Sequence, residues 1–232
     1  MDWNFYVAAI IGFFPSFGIM YFTWGKLEGL FSEKKLFFHY FVGWIVGIML
    51  AVFFLISMVS VRVYLDLSIF FVLLFGVFTE LAKYIYLNTP KKRKDYSLPY
   101  YGFAFGLGVA AIWSVSLAYY YLRTPMSNID YAGAAISLLL LSLGLASIHA
   151  STGALLGYGI KIKFWEKYLL QSFGYILLFN LSLLPYIWNM HYSLFFIGLI
   201  VSVPVLYYKV YKGVLIQTIP KKVMKKWKET KE

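Results

Sequence analysis

An apolar run that begins near Tyr131 ends in the sequence Ile148-His149-Ala150-Ser151-Thr152-Gly153-Ala154-Leu155-Leu156-Gly157-Tyr158-Gly159. A run of this length is typical of a helix that spans a membrane. Small residues recur in it at steps of three and four and so share one helix face: Ala146, Ala150, Gly153 and Gly157. Such a face lets a neighbouring helix approach closely. We therefore predict that this helix lies at the centre of a helical bundle.

His149 is the only histidine, acidic or basic residue between positions 131 and 160. Desolvating such a side chain at membrane depth is costly, so its presence there suggests a functional site. The alternative is a histidine that is hydrogen-bonded to a neighbouring helix for packing alone.

The composition of the chain indicates a membrane protein. Of its 232 residues 61% are hydrophobic and only 13% are charged, whereas soluble domains contain about 25% charged residues. We predict an all-α, polytopic membrane protein, one helical bundle in the plasma membrane. The chain has no cysteine, which excludes a disulfide framework and a thiolate metal site. Missing cysteine and few Asn and Gln residues are typical of a thermophile.

Seven apolar segments are each close to the ~20 residues needed to cross the hydrocarbon core. They cover residues 3–24, 36–60, 65–87, 99–122, 131–158, 168–188 and 192–211. The last two are separated at Trp188-Asn189-Met190-His191, where Pro185 and Asn189 favour a tight turn. The sequence thus predicts seven transmembrane helices, with the lipid bilayer as the first partner.

Lysine and arginine lie almost entirely on one side of these segments. Eighteen of them fall in the first, third and fifth loops or at and beyond the end of the seventh segment, whereas the other side has only Arg62 and Arg123. Cytoplasmic loops carry the excess of Lys and Arg, so the N-terminus is predicted outside and the C-terminus inside. With charges so placed, the net charge of +11 does not indicate a nucleic-acid partner. We divide the chain into a membrane domain, 1–211, and a basic cytoplasmic tail, 212–232, which suits an anionic leaflet or only fixes topology.

The third segment carries an acid and a base three residues apart, Glu80 and Lys83. This spacing puts both on one helix face and predicts an ion pair, because charges inside a membrane are tolerated mainly as pairs or beside a wet cavity. At ~1.5 Å per residue, Glu80 lies ~10 Å and His149 ~15 Å from the inner ends of their segments. We predict that the polar side chains of Glu80, Lys83 and His149 face one another in the inner half of the bundle.

Two other segments repeat the small-residue spacing, which indicates close helix contacts. Gly102 and Gly106 in the fourth segment are predicted to flank these three polar residues together with Gly153 and Gly157. The second segment has Gly43 and Gly47, and this face is our candidate for a homo-oligomer contact.

The sixth segment contributes Gln171, Tyr175 and Asn180 as further polar residues. Gln171 and Asn180 are nine residues apart, which is about half a turn out of phase on a helix with 3.6 residues per turn. They therefore cannot line the same cavity on a straight helix.

Three motifs resemble those of a superfamily of membrane proteins. The third segment has Thr79-Glu80-Leu81-Ala82-Lys83, similar to Glu-Glu-Leu-x-Lys. The fourth has Gly106-Leu107-Gly108-Val109-Ala110-Ala111-Ile112-Trp113-Ser114, similar to Gly-Leu-Gly-Phe-Ala-x-x-Glu-Asn. The fifth, from His149 to Gly159, is similar to His-Ala-x-x-x-Ala-x-x-Gly-Tyr-Gly. The superfamily comprises the PrsW-type and CAAX-prenyl-type intramembrane proteases and the anterior-pharynx-defective subunit of gamma-secretase.

The resemblance covers roughly residues 75–160 and implies a water-activating site. It implies Glu80 as general base and His149 as the group that positions water or the oxyanion, with Lys83 and Thr79 in support. The chain departs from the family where Thr79 replaces the first glutamate and where Trp113-Ser114 replaces Glu-Asn. A divalent metal such as zinc needs three protein ligands; Glu80 and His149 supply two, and the third candidates are Gln171, Tyr175 and Asn180.

Two classes of function follow as hypotheses. The first is an intramembrane protease (a hydrolase) that acts on membrane-bound peptide substrates. The second is a non-catalytic scaffold, similar to the gamma-secretase subunit, in which Glu80, Lys83 and His149 are structural and the glycine faces bind partner helices. A transporter or channel is a third reading, which the lack of an internal repeat disfavours.

Overall fold

A computed structural model describes residues 2–27, 29–61, 65–123, 131–189 and 195–231, and the regular structure in these ranges is all helical. The helices are α1 Trp3–Trp24, α2 Glu33–Val61, α3 Leu65–Leu87, α4 Pro90–Arg93, α5 Leu98–Arg123, α6 Tyr131–Lys161, α7 Trp165–Asn189, α8 Phe195–Pro204 and α9 Lys221–Lys231. A 3₁₀ turn, Gly25–Leu27, follows α1, and a π-helical stretch, Val205–Leu215, continues α8.

Five helices in the described ranges are long and apolar enough to cross a membrane: α1, α2 over 33–53, α3 over 69–87, α5, and α6 over 133–161. The all-α class and the presence of several membrane-length helices are therefore as predicted.

The predicted segments and the observed helices agree closely at their ends. The bounds of α1 and α3 are as predicted, and α2, α5, α6 and α7 extend their segments by one to three residues at one or both ends. The predicted turn after the sixth segment begins within α7, which ends at Asn189, and residues 190–194 lie outside the described ranges. The short helix α4 was not predicted; Pro90 begins it, the position where the missing N–H of proline has least consequence.

α5 is the central helix of the bundle. In its most apolar stretch 83% of the residues are buried, compared with 61% in that of α6. We predicted that α6 is central, but its neighbour α5 is the more buried of the two helices. The reason is that α5 packs on α6 at one face and on α2 and α1 at others.

Glycines form the contact between α5 and α6. A Cβ atom on Gly102 would overlap the carbonyl oxygen of Gly153, and a Cβ on Gly153 would overlap that of Gly102. One turn away, a Cβ on Gly106 would meet the carbonyl oxygen of His149. Gly157 meets the backbone of Leu98 in the same way. The helix-packing role predicted for these glycines is therefore what their surroundings show.

Gly43 and Gly47 pack inside the bundle and not at a free surface. A Cβ on Gly43 would meet the carbonyl oxygen of Phe105, and one on Gly47 would lie 3.0 Å from the carbonyl oxygen of Val109. Both neighbours belong to α5. The proposal of Gly43–Gly47 as a homo-oligomer face is therefore wrong, because α5 already occupies that face.

The basic loops meet at one end of the bundle. The Lys161 ammonium donates a hydrogen bond to the carbonyl oxygen of Lys94 at 2.9 Å, and Lys35 lies 3.9 Å from the Asp95 carboxylate. Residues beyond 211 also pack here: Val214, Leu215 and Ile219 are buried. The first part of the predicted tail thus lies against the bundle.

Candidate functional site

Glu80 and Lys83 form an ion pair inside the bundle. The Lys83 ammonium lies 2.6 Å from Oε1 of Glu80, and both side chains are fully buried. The two residues lie three apart on α3, so one helix face presents both groups. Leaving either charge without the other would strand an ion in a medium of low dielectric constant.

Thr152 joins this pair to α6. The Lys83 ammonium donates to the Thr152 hydroxyl at 2.6 Å, and that hydroxyl donates to Oε1 of Glu80 at 3.0 Å. The same hydroxyl is 3.4 Å from the carbonyl oxygen of His149, one turn earlier on α6. The hydroxyl of Ser172 on α7 donates to the carbonyl oxygen of Thr152 at 3.3 Å. Glu80, Lys83, Thr152 and Ser172 thus link α3, α6 and α7 at one level, and we call them the polar cluster.

His149 lies beside the polar cluster and contacts it only through its backbone carbonyl oxygen among the described hydrogen bonds. Its side chain is fully buried, and neither ring nitrogen has a hydrogen-bond partner among the described residues. The ring meets the indole of Trp113 edge-on, with centroids 5.4 Å apart and planes at 72°. Oε2 of Glu80 also has no partner among the described residues. Since buried polar atoms are nearly always paired, three such atoms near one junction need an explanation.

The two carboxylate oxygens of Glu80 have different surroundings. Oε1 is held by Lys83 and Thr152, which fixes the orientation of the carboxylate. Oε2 keeps its acceptor capacity, and a carboxylate oxygen of this kind can accept a proton from water. The two His149 ring nitrogens also have no partner among the described residues. The neutral ring can therefore donate a hydrogen bond from one nitrogen and accept one at the other.

The predicted supporting residues lie in three different places. Thr79 is buried and donates to the carbonyl oxygen of Phe75 on its own helix at 2.8 Å. Gln171 donates to the Tyr175 hydroxyl at 3.0 Å, and both are partly exposed. Asn180 is buried and lies 3.4 Å from the carbonyl oxygen of Val72 on α3. None of the hydrogen bonds described for these four residues reaches the polar cluster.

The donor set does not fit a zinc ion. No group of three or more His, Asp, Glu or Cys side chains suited to a metal occurs in the described ranges. Glu80 and His149 are two such groups, fewer than zinc normally takes from the protein. The Lys83 ammonium, 2.6 Å from Oε1 of Glu80, would also repel a divalent cation.

Sequence reasoning missed Thr152 and Ser172 as members of the polar cluster. Thr152 lies three residues after His149 and so on the same side of α6, and this spacing could have identified it. Ser172 is next to Gln171, which was chosen in its place; Ser172 is fully buried and Gln171 is not. Trp113, which stands where the motif that the sequence resembles has a glutamate, is buried and contacts the His149 ring edge-on.

A second polar network lies at the basic end of the bundle. Nδ1 of His39 on α2 is 2.5 Å from the Tyr86 hydroxyl, and its ring stacks on Tyr101 with centroids 4.2 Å apart. The Tyr101 hydroxyl donates to Asp95 at 2.8 Å. Partial burial alone raises the pKa of the Asp95 carboxyl, but hydrogen bonds from Ser97 and Tyr101 outweigh it and hold that pKa below 3.8. Asp95 is therefore ionised at neutral pH, and the network as a whole links α2, α3 and α5.

Comparisons of the chain with family models, with curated proteins and with solved structures give no match in any of the three.

Proposed function

We propose that the chain is an intramembrane protease of the superfamily that its motifs resemble, acting on membrane-bound peptide substrates. The observation that carries the proposal is that Oε2 of Glu80 and both ring nitrogens of His149 are buried without a hydrogen-bond partner among the described residues. A hydrolytic site needs a base and a second polar group whose capacities are not used up by the fold.

In this mechanism Glu80 is the general base. Oε2 takes a proton from a water molecule whose oxygen attacks the peptide carbonyl carbon, and the same proton then passes to the leaving amine as the C–N bond breaks. His149 positions the water or donates a hydrogen bond to the oxyanion. Lys83 and Thr152 hold Glu80 in place through Oε1. Because the residues are fully buried, α3 must separate from α6 or α7 to admit a substrate.

His149→Leu tests this role with little disturbance of the fold. The ring nitrogens have no hydrogen bonds to the described residues that could be lost, so an apolar side chain of similar volume should change the free energy of unfolding by less than ~1.5 kcal/mol. Cleavage of a membrane-anchored peptide by the reconstituted protein should fall by ~10²–10⁴-fold. Cleavage at the wild-type rate by a stable His149→Leu variant would contradict the catalytic role.

The second candidate is a non-catalytic scaffold. Two observations favour it: Glu80, Lys83 and Thr152 are hydrogen-bonded to one another, and all three are fully buried. A purely structural link between helices would have the same two features. In that case the wild type cleaves no peptide, and the same His149→Leu variant retains both its stability and its binding of partner helices.

We also propose seven spans, with the N-terminus outside, in the plasma membrane. α7 has 25 residues, and α8 with its π-helical continuation covers 195–215. At ~1.5 Å per residue α7 is longer than the ~30 Å hydrocarbon core, and the second of these stretches has the ~20 residues that a span needs. The meeting of the basic loops at one end of the bundle supports this topology, because an odd number of spans also brings the tail there.

Single cysteines test the orientation, since the chain has none of its own. In intact cells Lys91→Cys should resist an impermeant thiol reagent added outside, and Ser127→Cys, between α5 and α6, should react. After membrane permeabilisation both should react. Labelling of Lys91→Cys alone in intact cells would overturn the proposed orientation.

A further inference from the structure

A basic cleft of about 290 Å³ opens where α3 and α6 end and α7 begins. Its polar and aromatic lining consists of Tyr84, Asn88, Arg93, Lys161, Lys163 and Trp165. It is separate from the polar cluster, and the proposed function makes no use of it. We call it the basic cleft.

The basic cleft has strong charge asymmetry. Three cationic side chains line it, and among the described residues no carboxylate does; Glu166, next to Trp165, is exposed. The Lys161 ammonium uses one of its three donors on the carbonyl oxygen of Lys94. α7 begins at Trp165, so the positive end of its dipole also lies here. An anion with several oxygen acceptors matches this lining.

Lys163 occupies a backbone position that favours glycine. Its φ is +64°, and it ends α6 in a Schellman motif. The Phe164 amide donates to the carbonyl oxygen of Gly159, and the Lys163 amide donates to that of Ile160. Glycine is the usual residue at this point, because a side chain is disfavoured in the left-handed region. A lysine there gives up local stability and adds a cation to the basic cleft.

Exposed apolar residues adjoin two lining residues of the basic cleft in the sequence. Ile85, next to Tyr84, is 70% exposed, and Phe164, next to Trp165, is 63% exposed. Leu170, further along α7, is 73% exposed. Tyr84 and Trp165 pack with ring centroids 5.0 Å apart, and such aromatic residues are common at the level of lipid headgroups. Apolar side chains beside a cationic pocket suit a ligand that has both an anionic head and an acyl chain.

We infer that the basic cleft binds the phosphate headgroup of an anionic lipid from the leaflet at the basic end of the bundle. Arg93, Lys161 and Lys163 contact the phosphate oxygens, and the acyl chains lie along Ile85 and Phe164. A free phosphate ion would satisfy the cations but would not account for the exposed apolar side chains of Ile85 and Phe164.

Native mass spectrometry of the full chain in a neutral detergent tests this inference. The protein is titrated with phosphatidylglycerol, with phosphatidylcholine, and with inorganic phosphate as the free anion. We expect one phosphatidylglycerol to be retained in preference to phosphatidylcholine. Lys163→Gly should weaken this binding about tenfold, the effect of losing one charge-assisted hydrogen bond, while leaving the melting temperature unchanged or raised. Arg93→Gln should weaken it to a similar extent.

Lys167→Gln is the matched control, because Lys167 is exposed on the first turns of α7 and does not line the basic cleft. It should bind phosphatidylglycerol as the wild type does. An equal loss in Lys167→Gln would show attraction to net charge only and would overturn the site. Displacement of the lipid by millimolar phosphate would identify a free-anion site and overturn the lipid assignment. Unchanged binding in both Lys163→Gly and Arg93→Gln would also contradict the inference.

Discussion

Gly153→Leu is expected to prevent stable assembly of the bundle. A Cβ atom at this position would overlap the carbonyl oxygen of Gly102, and the reverse contact is equally close. Overpacking costs ~1–3 kcal/mol where side chains can adjust. Here the neighbour is backbone on the most buried helix, so α5 and α6 would have to move apart as units. We expect a loss of free energy of unfolding at or above the upper end of that range.

Gly174→Leu is the matched control for this effect. Gly174 lies on α7, and no other described part of the chain lies within 4 Å of the position that its Cβ would take. Both variants add the same side chain to a helix, but only Gly153→Leu meets a neighbour. Thermal unfolding in detergent and recovery of monodisperse protein would measure the difference. Equal stability of the two variants would contradict the close contact between α5 and α6.

The small-residue faces could be predicted from the sequence, but their partners could not. The spacing of Gly102, Gly106, Gly153 and Gly157 correctly marked a tight contact, because only residues without bulky side chains permit it. The same spacing at Gly43 and Gly47 was assigned to another molecule. A glycine face shows that some helix is close, and nothing in its spacing distinguishes a helix of the same chain from one of a second copy.

The ion pair could be predicted because it depends on one helix alone. Glu80 and Lys83 are three residues apart in an apolar segment, and this fixes their relative position before any packing is known. Contacts between helices also depend on how each helix is rotated about its axis. For this reason Thr152 was not chosen, although it is the residue of α6 that bonds to the ion pair.

The position of His149 shows the same limit. Depth arguments placed it level with Glu80, and the Thr152 hydroxyl does lie near both the Glu80 carboxylate and the His149 carbonyl oxygen. Depth does not determine which way a ring points, however. The ring contacts Trp113 on α5, which is one of the residues where the sequence differs from the motifs that it resembles.

Glu80→Gln is expected to have the largest combined effect on stability and activity. The change keeps the volume of the side chain and an oxygen that can accept from Lys83, but it leaves the Lys83 ammonium buried without the carboxylate that balances its charge. Breaking a buried pair by removing one charge costs ~3–5 kcal/mol. If Glu80 is the general base, cleavage also falls by ~10²–10⁴-fold. The single variant cannot separate these losses, because an unstable protein is also inactive.

The double variant Glu80→Gln/Lys83→Met separates them. Replacing both members of a buried pair by neutral groups is often neutral or stabilising, so thermal unfolding should return close to that of the wild type. Lys83→Met alone is the control, because it keeps the carboxylate and loses only its partner. Cleavage of a membrane-anchored peptide is then compared at equal folded concentration.

The protease proposal predicts that the stable double variant stays inactive, because no base remains at position 80. Cleavage by the double variant at the wild-type rate would exclude Glu80 as the base and assign the ion pair to structure. A wild type that cleaves nothing, with stability lost in Glu80→Gln and restored in the double variant, would favour the scaffold. Activity of the restored protein therefore decides between the two functions, since stability follows the same course under both.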